Sequence, residues 1–188
     1  MRTALARWLA VIALAFTGCA SHRSYHDTDM DFSTVRTVAV LPFWNLSKDP
    51  QGAHRVRDVF STSLLETNGV YVVPTGEVAR AISRIGVASS VSPTPDEVVK
   101  LCAMLKADAV ITGVLKEYGE VRTTSASANV VALSLQMQEA SMGKVVWSGS
   151  SMKGGIGWAA RLLGSAGGEP LEVETDAAVD DLLRQLFR

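Results

Sequence analysis

The run Thr37-Val38-Ala39-Val40-Leu41-Pro42-Phe43 constrains this chain more than any other stretch. Val38 and Val40 fall on one parity and Ala39, Leu41 and Phe43 on the other, so both faces of an extended segment are apolar. A strand buried on both faces reads as a continuous apolar run and belongs inside a sheet covered by helices. Pro42 has no N–H to give to a ladder, so pairing is expected to fail beside it and the chain to leave the sheet there. The following Trp44-Asn45-Leu46-Ser47-Lys48-Asp49-Pro50 has turn chemistry and sets an exposed Trp among polar residues. A second doubly apolar run, Ala107 to Leu115, predicts a strand lying beside the first.

Between these strands the apolar period becomes helical. Val56, Val59, Phe60 and Leu64 form one stripe of a helix over 52–67, with Arg55, Arg57, Asp58 and Glu66 off it and Asn68-Gly69 as its left-handed close. Val70 to Val73 predicts a short strand ended by Pro74. Thr75 is the expected cap of a helix that buries Val78, Ile82 and Ile85 and stops at Gly86. Thr94-Pro95-Asp96-Glu97 predicts a capping box, opening a helix that turns Val98, Leu101, Cys102 and Leu105 inward. Val131, Leu133, Leu135 and Met137 alternate with Ala132, Ser134, Gln136 and Gln138, a half-buried strand that Ser141-Met142-Gly143-Lys144 turns into a hairpin partner. Thr175 is expected to cap a last helix with Val179, Leu182, Leu183 and Leu186 inward. The expected fold is a single α/β domain with a mixed sheet of about five strands flanked by about four helices. Two of the strands are central and buried, one is short, and a C-terminal antiparallel hairpin completes the sheet.

A chain of 188 residues, 47% hydrophobic, holds one domain with a proper core and is too short for two comfortable ones. A net charge of −1 with 20% charged residues gives no basic face, so no nucleic-acid partner is expected. The start of the chain is not part of the fold. Arg2 and Arg7, an apolar run from Trp8 to Phe16, and Thr17-Gly18-Cys19 describe a secretory signal over residues 1–18. The run is about half the ~20 apolar residues of a spanning helix. Residues 19–34 are expected to be a polar tether and 35–188 the domain, with a Gly-rich linker over 154–170 and a C-terminal helix over 174–188.

The motifs of common chemistry are absent. There is no G-x-S-x-G, H-E-x-x-H, Cys-x-x-Cys or Walker A loop, so no enzyme and no small-molecule substrate are expected. His22, His26, Asp27, Asp29 and Asp31 read as a solvated tether rather than a metal site. Gly155-Ile156-Gly157-Trp158-Ala159-Ala160 formally matches G-x-G-x-x-A, but no βαβ unit follows it. No metal and no cofactor are expected. Cys102, within an apolar helical stretch, reads as a small buried hydrophobe.

Phe16-Thr17-Gly18-Cys19 resembles the lipobox of bacterial lipoproteins. That resemblance implies cleavage before Cys19, a diacylglyceryl thioether on its sulfur and an acyl chain on its new amine. Cys102 would then stand alone, with no internal disulfide to form. Ala20-Ser21 lacks the Asp that holds many lipoproteins at the inner membrane, which implies outer-membrane sorting with the domain facing the periplasm. VAVLPFWNLS, VYVVPTGEVARAI, ADAVITGVLKEYGE and VVALSLQMQEASMGKVVWSG together resemble CsgG-like bacterial lipoproteins. They look nearest to small meningococcal-type lipoproteins whose domain resembles the N-terminal domain of TolB, with the penicillin-binding-protein activator LpoB more distant. The resemblance covers roughly Val35 to Ser150 and none of its motifs is catalytic. It implies a lipid-anchored, non-catalytic envelope module that binds another envelope protein or itself, or else a subunit of a CsgG-like secretion or pore complex. The interval Gly119 to Ser127 is too short and polar for the membrane-crossing hairpin of the CsgG channel.

A contact surface is expected at the C-terminal ends of the central strands, where loops leave an open α/β sheet. That selects Trp44 and Asn45 after the first strand and Glu117 and Tyr118 after the third. Trp158, in the glycine-rich stretch, is a further candidate because its neighbours offer no strand or helix to bury it.

Overall fold

A computed structural model describes residues 24–124, 126–156 and 168–188. Seven strands form one mixed sheet: β1 (Tyr25–His26), β2 (Thr37–Val40), β3 (Trp44–Asn45), β4 (Tyr71–Val72), β5 (Ala109–Arg122), β6 (Ser127–Glu139) and β7 (Val145–Gly154). The helices are α1 (Gly52–Glu66), α2 (Thr75–Ile85), α3 (Pro95–Leu105) and α4 (Leu171–Leu186). The order across the sheet is β1-β7-β6-β5-β2-β4, with β3 beside the middle of β5. The two doubly apolar runs are neighbours, parallel, with Val38 opposite Ala109 and Val40 opposite Ile111. The architecture is the expected mixed α/β domain, with short strands β1 and β3 beyond those the apolar pattern announces.

The two faces of the central strands sort into two cores. Val38, Val40, Ile111, Leu115 and Val131, Leu133, Leu135 and Met137 of β6 pack with Trp147 under α1 and α4. Ala39, Leu41 and Val110 pack under α2 and α3 with Val78, Leu101 and Cys102. The capping box forms as read: Thr94 N–H donates to the Glu97 carboxylate at 2.7 Å, and Glu97 N–H donates back to Thr94 Oγ1 at 3.3 Å. Gly86 closes α2 with φ of 74°.

Several local expectations change. Pro74 takes the cap position of α2, so Thr75 is its first residue and caps nothing. Pro170 sets the extended entry to α4 at Leu171, with Glu172 and Glu174 in the first turn favouring the helix dipole. Thr175 therefore lies within the helix and donates its hydroxyl to the Leu171 carbonyl at 2.7 Å. Asn68, with φ of 53°, supplies the left-handed residue after α1. The stretch read as a tether also joins the fold. Tyr25 and His26 pair with Ser148 and Trp147 at the sheet edge, Phe32–Thr34 make a 3-10 turn, and buried Asp27 meets the Lys144 ammonium. A two-residue strand carries too little period to be read from sequence.

Candidate interaction surface

Pro42 ends the β2 ladder, and the next residues rejoin the same edge of β5 further along. Phe43 packs into the first core against Gly113, where a Cβ would lie 2.6 Å from its ring. Trp44 then pairs with Val114 and Asn45 with Leu115, so this stretch is a short parallel strand before it becomes a turn. Asn45 shapes that turn: its side-chain carbonyl accepts from Ser47 N–H at 3.0 Å and Ser47 hydroxyl at 2.7 Å, and its amide donates to the Asp49 carbonyl at 2.7 Å. Both ends of the Asn45 side chain are thus engaged in shaping the loop.

Paired residues in neighbouring strands share a face, which sorts the remaining candidates. Trp44 lies with Val114, Ser134 and Ser150 on the face that α2 and α3 cover only near Leu41 and Val110. This row is open: Trp44 is 54% exposed and Met152, in the next row, 62%. The β5–β6 register slips between Leu115 and Glu117, leaving Lys116 as a bulge. Beyond it Glu117 pairs with Ala132 on the Trp44 side, and Tyr118 pairs with Val131 on the first-core side. Tyr118 is half-buried against α1; a Cβ at Gly52 would lie 3.0 Å from its ring. Trp44 and Glu117 therefore share one face, while Tyr118 is turned to the other. Cys19 and Trp158 lie outside the described residues. The stretch holding Trp158 is bounded by Gly155, whose N–H donates to the Asn129 carbonyl at 2.7 Å, and Glu169, whose carbonyl accepts from the Asn129 amide at 2.9 Å.

Two features at this end escaped the sequence reading. Arg57 is 6% exposed, on the buried stripe of α1 with Ala53, Val56, Phe60 and Leu64. It donates to the Val40 carbonyl at 2.7 Å, and desolvation lowers its pKa against the opposing pull of Asp58. The β2–β4 ladder explains the need. Tyr71 and Val73 donate to the Arg36 and Val38 carbonyls, but after Pro74 the chain enters α2 and nothing from it reaches Val40. Positions 53, 57, 60 and 64 keep helical spacing, so the signal was present and only the charge argued against it. The other feature is a groove of about 880 Å³ between Leu46–Asp49 and the outer edge of β5 from Lys116 to Arg122.

At the opposite end of the sheet, a cavity of about 640 Å³ lies among His26, Phe32, Val38, Leu64, Val70 and Phe187. His26 Nε2 is buried there without a hydrogen-bond partner among the described residues. Cys102 is buried, its thiol pushed up to about 12 by desolvation, then by the nearby Glu139 and Asp108 charges. Among the described residues no group of three or more His, Cys, Asp or Glu is placed to hold a metal ion. No described helix is long and apolar enough to cross a membrane.

Residues 25–156, well over half the chain, match the sequence profile of GNA1162-like lipoproteins. The chain belongs to the GNA1162-like lipoprotein family. The crystal structure of GNA1162 from Neisseria meningitidis is 21% identical and superposes with a TM-score of 0.57, over 81% of this chain and 98% of that one. The PelC dodecamer from Paraburkholderia phytofirmans gives 16% identity and a TM-score of 0.55, over 88% of this chain and 96% of that one. The hypothetical protein CT253 from Chlamydia trachomatis gives 13% and 0.55, over 81% and 95%. At these identities the structures show a shared fold. The LpoB C-terminal domain from Salmonella enterica superposes at a TM-score of 0.47. No curated protein matches the chain. These matches carry the meningococcal part of the resemblance and not its CsgG-like or TolB-like labels.

Proposed function

We propose that this lipoprotein is a non-catalytic protein-binding or assembly module of the cell envelope, docking a protein on the open sheet face around Trp44. The observation that carries the reading is Trp44 itself: held in a strand by its pairing to Val114, yet 54% exposed on the face that also carries Glu117. A large aromatic on a rigid element with a polar rim is the residue type that anchors protein interfaces. The anchor in this reading is lipid on Cys19, outer-membrane sorting follows from Ala20-Ser21, and the domain faces the periplasm, with another envelope protein or a second copy as partner.

The second reading, a subunit of a CsgG-like outer-membrane secretion or pore complex, draws on the dodecameric state of the structurally similar PelC. The β5–β6 hairpin gives it no support. The part projecting beyond β3, Glu117–Arg122, is shorter than the ~9–11 residues of a barrel strand and carries Glu117, Glu120 and Arg122.

Co-purification of the full chain in mild detergent tests the main reading. Trp44→Ala should lose at least nine-tenths of the recovered partner while melting within a few degrees of the parent, since the ring covers no core. A Trp44→Ala protein that stays folded and recovers the partner undiminished contradicts it.

A further inference from the structure

Past Asn45 the outer edge of β5 has no described strand beside it. Before the bulge, Ile111 and Leu115 turn their carbonyls outward and accept from Leu41 and Leu46, both at 2.9 Å. The extra residue Lys116 moves the phase by one, so that beyond it the odd residues bond across to β6, as Thr123 N–H does to the Ala126 carbonyl at 2.8 Å. Tyr118, Glu120 and Arg122 therefore aim N–H and C=O groups away from β6, into the groove walled by Leu46 and Lys48. Such an edge is a template for another strand.

The side chains on this edge indicate which strand. Glu120 and Arg122 stand two apart on one face and pair with each other at 2.6 Å, with the Arg side chain 76% exposed. Reversed, that two-residue pattern is complementary to itself. Antiparallel pairing requires outward-bonding residues to face each other, so Glu120 can sit opposite Tyr118, Glu120 or Arg122 of an identical edge. The first gives neither charge an opposite partner, the second places like charges together, and the third satisfies both. We propose that the Gly119–Thr123 edge pairs with the same edge of a second copy about a twofold axis at Val121, each Glu120 facing the other copy's Arg122. Val121, 40% exposed on the opposite face, would then meet its own equivalent. So short an edge is weak by itself, but copies anchored in one membrane leaflet meet at high effective concentration. The proposal thus rests on the reading of the protein as an anchored contact module, and names the partner at its β5 edge.

Full-length Val121→Cys, with Cys102→Ser to remove the buried thiol, tests it by mild oxidation in membranes and non-reducing electrophoresis. A non-hydrogen-bonded antiparallel pair brings the two Cβ atoms to ~5 Å, close to disulfide range. A covalent dimer is expected from Val121→Cys and not from Thr123→Cys, which faces Gly119. Adding Glu120→Arg or Arg122→Glu should cut the dimer at least tenfold, and co-producing these two charge variants should restore it as a mixed pair. Restoration between chains that each fail alone cannot come from the ion pair within one chain. No dimer from folded Val121→Cys, or a dimer untouched by Arg122→Glu, overturns the proposal. If a photo-reactive residue at 121 captures a different protein and never itself, the second copy is wrong while the contact-module reading survives. That reading fails separately, through an unaltered Trp44→Ala co-purification.

Discussion

Arg57 shows how one side chain can complete a sheet that the backbone leaves unfinished. Its guanidinium takes the Val40 carbonyl where proline and a helix start remove the next backbone donor. Arg57→Ala should lower unfolding stability by about 2 kcal/mol, since a buried carbonyl is left without a partner. Chemical denaturation checks this, and Arg57→Lys should recover part of the loss if the hydrogen bond matters. Cys102 is a different kind of residue, a thiol buried in the second core. Its thiol, held up to about 12, should resist iodoacetamide at pH 8 in the native protein and react once unfolded. The unfolded thiol ionises above about 9.0 while the folded one stays protonated, so the unfolded state binds fewer protons and stability falls as pH rises from there towards 12. Cys102→Ala should remove that part of the alkaline slope.

At the scale of elements, periodicity was legible where segments were long and regular. The doubly apolar runs, the capping box at Thr94 and the β6–β7 hairpin all follow from local pattern. What escaped were features set by neighbours. β1 and β3 are two residues each, and their existence depends on partners rather than on their own sequence. The Lys116 bulge is equally silent, yet it decides the candidate site by turning Tyr118 onto α1 and leaving Glu117 with Trp44. The Ser141–Lys144 turn was legible as a turn but not in its docking. Glu139 accepts from the N–H groups of Met142 at 2.8 Å and Lys144 at 3.3 Å, while Gly143, at φ of 67°, passes close to Pro95. A Cβ there would lie 2.5 Å from the Pro95 carbonyl oxygen. Gly143→Ala should therefore destabilise by more than ~1 kcal/mol, combining a left-handed backbone with a clash against rigid backbone. A thermal melt showing no loss would mean that turn and helix separate freely.

The whole molecule presents a sheet covered on one face and half-covered on the other, which in the proposed reading a lipid on Cys19 anchors to a membrane. The anchor has its own test. Palmitate labelling of the full chain should disappear in Cys19→Ser, and labelling that persists would move the attachment elsewhere. The central claim is that the uncovered half-face around Trp44 is where this protein meets another. In-cell photo-cross-linking measures that most directly, with the reactive residue placed in turn at Trp44, Glu117 and, as an exposed control on α3, Met104. The account predicts one discrete cross-linked species from positions 44 and 117 and none from 104. Equal capture at all three positions, or capture at 104 alone, would contradict it.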